Sequence, residues 1–252
     1  MAKRAFAICA HPDDIEFQMA GTLLRLQDLG YEIHYMTIST GSLGSCVYGA
    51  ADLARIRRDE AIASCKIAGF HYHEALVPDL EIFYNYETLA LLMPVMREVD
   101  PEIVLTHGPY DYMEDHINAG RLAVSAAFCR GMKNFKCEPS EVRLGNACVY
   151  HSLPLSLKDQ LNKPIIPDVF VDITDKIPIK REMLNCHKSQ KEWLDKTQGL
   201  DAYLDDMQTR CAIVGKLSGF CDYAEGWIRH NPIGFCAEDF DPLAAIARPA
   251  AK

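Results

Sequence analysis

Ala5-Phe6-Ala7-Ile8-Cys9-Ala10-His11-Pro12-Asp13-Asp14-Ile15-Glu16 decides the fold. Six apolar or small residues run without interruption and then break into a polar turn containing proline. A run this short reads as a buried strand rather than a helix. Met19, Leu23, Leu24, Leu26 and Leu29 follow at helical spacing, and Gly30 stands where a glycine commonly ends a helix. The chain therefore opens as strand, loop, helix. The loop carries an imidazole and adjacent carboxylates, at the strand end where open α/β sheets bind ligands.

Further along, the same unit repeats. Ile33–Ser39 reads as a strand, followed by the Gly- and Ser-rich loop 40–45 and a helix over Ala51–Ala68 closed by Gly69. A strand is expected at His73–Val77, then a helix over Tyr86–Val99 stopped by Asp100-Pro101. Ile103–Thr106, a helix over Asp115–Phe135 and a strand at Ala147–Tyr150 complete the series. Strands and helices alternating in this way predict a Rossmann-like, doubly wound, mostly parallel sheet with helices on both faces. Beyond residue 155 the pattern changes: Phe170–Ile173 is one more candidate strand, and helical stretches run over Lys176–His187 and Ser189–Leu217. The expectation is one domain over residues 1–252, with a sheet core in 1–150 and a mainly helical closing portion in 151–252.

Bulk composition removes several classes. The 252 residues are 49% hydrophobic and 24% charged with a formal net charge of −9, ordinary for a globular enzyme. An acidic chain without a basic stripe argues against nucleic acid or an anionic membrane as partner. The ten cysteines lie singly, with no C-x-x-C, which signals neither a zinc ribbon nor a dithiol redox site and fits a reduced compartment. The N-terminal apolar run is too short for a signal peptide, and no stretch approaches a membrane span. A cytoplasmic location is expected. No phosphate-binding glycine fingerprint follows the first strand, so a nucleotide-dependent transferase is a poor reading.

Two constellations carry chemistry. His11, Asp13, Asp14 and Glu16 lie within six residues at the first strand's end. Any one of these carboxylates taken alone reads equally well as a helix cap, but the group together reads as a metal site in embryo. The second is Thr106-His107-Gly108-Pro109-Tyr110-Asp111-Tyr112-Met113-Glu114-Asp115-His116, after the fourth strand. Two such loops at one edge of a parallel sheet can converge on a single ion. Two imidazoles, one carboxylate and a water make an open catalytic zinc site.

With these motifs in place, the chain resembles the PIG-L/LmbE-like metal-dependent deacetylase family, which includes N-acetylglucosaminyl-phosphatidylinositol de-N-acetylase and bacterial thiol-precursor deacetylases. The family's A-H-P-D-D stands here as Ala10–Asp14 and its D-x-H-x-D-H as Asp111–His116. The likeness extends to Arg57 with Glu60, to His187–Gln190 and to Tyr223–Glu225. The resemblance implies that His11, Asp14 and His116 ligate one divalent metal, zinc first and ferrous iron as the other candidate. It implies Asp13 as the base that deprotonates water, Asp115 as an orienting partner of a ligand imidazole, and Arg57 as a substrate contact. The implied reaction is hydrolysis of an N-acetyl or other N-acyl group on a small sugar-like substrate, in a protein whose relatives are often homo-oligomers. One departure stands out: the family's third motif position holds histidine, and this chain has Met113, which donates neither a hydrogen bond nor a proton. Tyr110, Tyr112, His107 and His151 are candidates to replace it. The alternative reading is a metal-containing sugar-binding or regulatory protein with lost or altered hydrolytic activity. His187 is read as packed or as orienting the site, and His34, His71, His73 and His230 as structural.

Overall fold

The computed structural model describes residues 3–198 and 203–251. Eight strands form one sheet in the order β3-β2-β1-β4-β5-β7-β6-β8. β1 (Arg4–Cys9), β2 (Glu32–Thr37), β3 (His71–His73), β4 (Ile103–His107) and β5 (Cys148–Ser152) are parallel. β6 (Val169–Asp172), β7 (Ala224–Arg229) and β8 (Ala247–Arg248) extend the sheet by antiparallel pairings.

β1 is buried on both faces, and its alternation splits the core in two. Ala5, Ala7 and Cys9 point into one cluster, with Leu23 and Leu26 from α2 (Ala20–Asp28) and Ala61 and Cys65 from α3 (Ala50–Ala68). Phe6, Ile8 and Ala10 point into the other, with Leu92 and Met96 of α4 (Tyr86–Val99) and Leu122 and Ala126 of α5 (Glu114–Cys129). A fully enclosed side chain such as Ile8 contributes about 1.5–3 kcal/mol. β1 and β4 are neighbours whose crossovers leave in opposite directions, so the crevice at their carboxyl ends is the switch point of the sheet.

The doubly wound sheet expected from the sequence is present, with differences at its ends. The first helix is two: α1 (Asp14–Gln18) and α2 are separated at Met19, whose backbone leaves helical geometry at φ −145°. Glu225 of β7 accepts from the Gly21 and Thr22 amides at 2.9 and 2.7 Å, replacing the helical partners that the break removes. A side chain at Gly21 would strike Ile173 and Glu225, so glycine is required there. The third strand lies at His71–His73 rather than His73–Val77, with Val77 adding a single bridge to Ser39. The fifth helix ends at Cys129, short of Phe135, and β5 and β6 are each displaced slightly from their expected limits.

The C-terminal portion holds α6 (Ile177–Leu184), α7 (Lys188–Gln198) and α8 (Tyr203–Ser218). It also supplies three strands, two of which, β7 and β8, the sequence reading did not anticipate. The helix expected over Ser189–Leu217 is α7 and α8; its residues 199–202 lie outside the described residues. No helix among the described residues is long and apolar enough to cross a membrane.

Candidate active site

Beyond β1 the chain turns sharply, and Asp13 sits at φ 108°, a conformation costly for most side chains but tolerated by aspartate. This turn points Asp13 and Asp14 in different directions. The Asp14 carboxylate folds back to accept from the His11 amide at 2.7 Å, and its oxygens lie 3.5 Å from His11 Nδ1 and 3.4 Å from His116 Nε2. His116 arrives from the first turn of α5, held there because α5 packs closely on β4. A β-carbon on Gly120 would stand 2.6 Å from the His107 carbonyl.

The protons of this cluster can be assigned from its partners. His11 Nε2 lies 3.1 Å from Asp115 Oδ2, which also accepts from the Leu80 amide at 2.8 Å. Donation to that carboxylate leaves the His11 Nδ1 lone pair facing Asp14. His116 Nδ1 stands 3.0 Å from Asp111 Oδ2, and a proton carried on that side leaves the Nε2 lone pair facing Asp14 as well. Asp111 is itself pinned by the Met113 amide at 3.1 Å.

His11, Asp14 and His116 thus bring three donor atoms within 4.8 Å of one another. One Asp14 oxygen lies 3.5 Å from His11 Nδ1 and the other 3.4 Å from His116 Nε2, so the carboxylate stands between the two imidazoles, the residue types of an open zinc site. A second group, His107 with Asp111 and His116, is equally compact. There, however, the His107 Nε2 lone pair is taken by the Ala10 amide at 3.0 Å, and Nδ1 faces Gln18 Oε1 at 3.2 Å. His107 is stacked on His116 with ring centroids 4.1 Å apart and works as a wall, not as a ligand. Burial lowers its basicity. Burial opposes protonation of His11 and His116 too, but the surrounding carboxylates, Asp115 and Asp14 for His11, Asp14 and Asp111 for His116, outweigh it. They push His11 up to about 10 and raise His116. The cluster is short of positive charge, and a divalent cation is what its donor set fits.

Asp13 faces a cavity of about 420 Å³ beside this cluster. Burial raises its pKa to about 6 even though the Arg57 guanidinium pulls the other way. Arg57 reaches Asp13 Oδ1 at 3.3 Å and also donates to the carbonyls of Pro12 and Gly41. Tyr203 donates to Asp13 Oδ2 at 2.5 Å. The loops after β1, β2, β3 and β4 form one side of the cavity, with Leu43, Asp79, Met113 and Tyr112 among the lining residues. Opposite them, α7 and α8 supply Gln190, Trp193, Tyr203 and Arg210. Arg210 is paired with Asp206 at 2.8 Å.

The structure therefore brings together His11, Asp13, Asp14, Arg57, Tyr112, Met113, Asp115 and His116 around one cavity, with Asp111 and His107 buried directly behind it. Two of the sequence candidates lie elsewhere. His151 and Tyr110 line a separate cavity of about 180 Å³, and His151 is hydrogen-bonded to the His107 carbonyl at 2.8 Å and to His230 at 2.9 Å. Glu16 turns away from the cavity to meet Tyr35 at 3.1 Å and His187 at 3.1 Å. Glu60, matched from the sequence, accepts from the Ser189 amide and hydroxyl at 2.9 and 2.6 Å and so seats the start of α7. Tyr203, Trp193 and Arg210 were missed. They sit in helical stretches without a motif, and nothing local distinguishes them from surface positions.

An α/β protein with a histidine–carboxylate centre at the switch point of its sheet is the class that fold and site define. Residues 6–127 match the family model described as PIG-L, GlcNAc-PI de-N-acetylase. Diacetylchitobiose deacetylase of Thermococcus kodakarensis is 31% identical over 236 residues, covering 91% of this chain and 84% of that protein. The chain belongs to the PIG-L family. A second relative, 4-oxalmesaconate hydratase of Pseudomonas putida, is 29% identical over 199 residues, 75% of this chain and 74% of its own. Among solved structures, GalB, the 4-carboxy-2-hydroxymuconate hydratase of Pseudomonas putida KT2440, superposes with a TM-score of 0.78 at 24% identity. It covers 95% of this chain and 100% of its own and shares the fold.

Proposed function

We propose that the protein hydrolyses the N-acetyl, or another small N-acyl, group of an amino-sugar-like substrate, using one divalent metal held by His11, Asp14 and His116. The observation that carries this reading is the convergence of those three donors beside Asp13 on the cavity wall. Zinc is the first candidate, and ferrous iron suits the same ligands. Bound there, the metal supplies Lewis acidity to the amide carbonyl and lowers the pKa of water to about 7. Asp115 fixes the His11 ring, and Asp111 fixes the His116 ring. Asp13 takes the proton of the attacking water and returns it to the leaving amine. Arg57 and Tyr203 hold its two oxygens in place. Of the four groups that could replace the family histidine at Met113, Tyr112 lines the Asp13 cavity, and its hydroxyl is our choice for the developing oxyanion.

Water addition to a carbon–carbon double bond is the second reading, because a relative 29% identical over 199 residues is described as 4-oxalmesaconate hydratase, whose named substrate is a polycarboxylate. The lining of the cavity disfavours it. Asp79, Asp115 and Asp206 join Asp13 and Asp14 on the walls, and both arginines among the described residues there already face carboxylates. Among the described residues the proposed metal is then the one cation on the walls not already facing a carboxylate outside its own ligands. A polycarboxylate would find fewer partners for its charges here than a neutral, hydroxyl-rich sugar would for its hydroxyls.

Metal content and amine release from a panel of N-acetylated sugars, on protein purified without chelator, test the proposal. About one metal per chain with metal-dependent release supports it. Turnover of an unsaturated polycarboxylate and of no N-acyl sugar would favour the hydratase. Metal with neither activity would leave a sugar-binding or regulatory protein, and no metal after reconstitution would refute the assigned centre.

A further inference from the structure

Ten cysteines are scattered through the sequence, yet two that stand 88 positions apart meet in the fold. Cys148, at the start of β5, places its Sγ 2.8 Å from Cys236 Sγ, in the segment between β7 and β8. That separation is far inside ordinary non-bonded contact between two sulfurs. The Cys148 sulfur also faces the Phe240 carbonyl at 3.0 Å, so its thiol proton has an oxygen acceptor besides the Cys236 sulfur. Both are free thiols. They differ in access: Cys148 is buried, whereas Cys236 is half-buried and has Arg229 Nη2 3.9 Å from its sulfur.

We propose that Cys148 and Cys236 form a disulfide when the protein meets a peroxide. Cys236 is the attacking thiol because it is the one that a small oxidant reaches, with Arg229 beside the sulfur as negative charge develops on it. Attack on hydrogen peroxide breaks the O–O bond, gives a sulfenic acid on Cys236 and releases one water. The Cys148 thiol then displaces the sulfenic hydroxyl, forming the Sγ–Sγ bond and releasing a second water. Two thiols are oxidised and one peroxide is reduced. Burial raises the Cys148 pKa to about 12, consistent with its being the resolving partner rather than the first to react. The new bond would cross-link β5 to a segment already held by the Tyr150 hydroxyl on Asp241 at 2.6 Å.

The test needs no substrate and no knowledge of the metal. The full-length protein is treated with a few equivalents of hydrogen peroxide, alkylated in denaturant, digested with trypsin and weighed without reduction. Trypsin separates the two cysteines into peptides 144–158 and 230–252, each with a single thiol. The expected product is those peptides linked, about 2 Da lighter than their sum, separating on reduction, with the oxidised protein melting several degrees higher. Cys236→Ser should abolish the linked species and leave Cys148 alkylatable. Recovery of both thiols alkylated, of Cys236 as a sulfinic acid with Cys148 free, or of either joined to a different cysteine would overturn the proposal.

Discussion

Asp13 is held at φ 108° with its two oxygens engaged by Arg57 and Tyr203. That backbone decides how its role should be tested. Alanine would add strain at a positive φ, whereas asparagine tolerates it and keeps the shape of the carboxylate. Asp13→Asn is expected to lower kcat by about 10²–10⁴ while leaving metal content per chain unchanged. His11→Ala should reduce metal content itself, read by elemental analysis on the same preparations; Asp13→Asn turning over at the parent rate would remove it as the base. The motif that suggested these residues was legible because it is local: His11, Asp13 and Asp14 sit on one turn. Tyr203 was not, since it reaches Asp13 across 190 positions and is one tyrosine among eleven. The separation of His151 from the site was equally hidden. His151 lies in the last two residues of β5 as His107 lies at the end of β4, one register position apart, and only the side on which each ring falls distinguishes them.

At the scale of elements, the site depends on how closely helices approach the sheet. A methyl group at Gly120 would collide with the His107 carbonyl, so Gly120→Ala must push α5 away from β4. The expected cost is about 1–3 kcal/mol by chemical denaturation, with weakened metal retention because His116 rides on the same helix. The α1–α2 break rests on a buried ion pair. Glu225 caps α2 and bonds to Lys180 of α6, which also donates to the Phe17 carbonyl at 3.0 Å. Lys180→Met strands a buried carboxylate and should cost about 3–5 kcal/mol, and adding Glu225→Gln should restore much of it. Neither the break nor the pair shows in the sequence. The apolar spacing runs straight through Met19, and Ala224–Arg229, with its glycine and buried glutamate, lacks the alternation of a strand until the partners on either side supply it.

For the whole molecule, acid is the expected weakness. His34 and His151 are each lowered from the ordinary 6.5 to about 4, by burial first and then by neighbouring groups. The folded state therefore binds these protons less readily than the unfolded chain, and the stability these two rings contribute as neutral groups is complete above about pH 6.5. It should fall as pH drops from 6.5 toward 4, with a slope of up to about 1.4 kcal/mol per pH unit for the more enclosed His151. Urea titrations across that window check this; flat midpoints would show that neither ring is as enclosed as described. The parallel half of the sheet was readable in its order of strands and helices, though not in the limits of β3, because each strand is separated from the next by its own loop and helix. The antiparallel half was not, because its strands are short and find their order only in three dimensions. β7, inserted between β5 and β6, has a consequence for biosynthesis. When β5 leaves the ribosome its outer edge has no partner, and residues 153–229 must follow before that edge is covered. At ordinary translation rates this takes about 4–15 s, during which a nascent chain already carrying all three proposed ligands exposes an open strand edge to whatever else can pair with it.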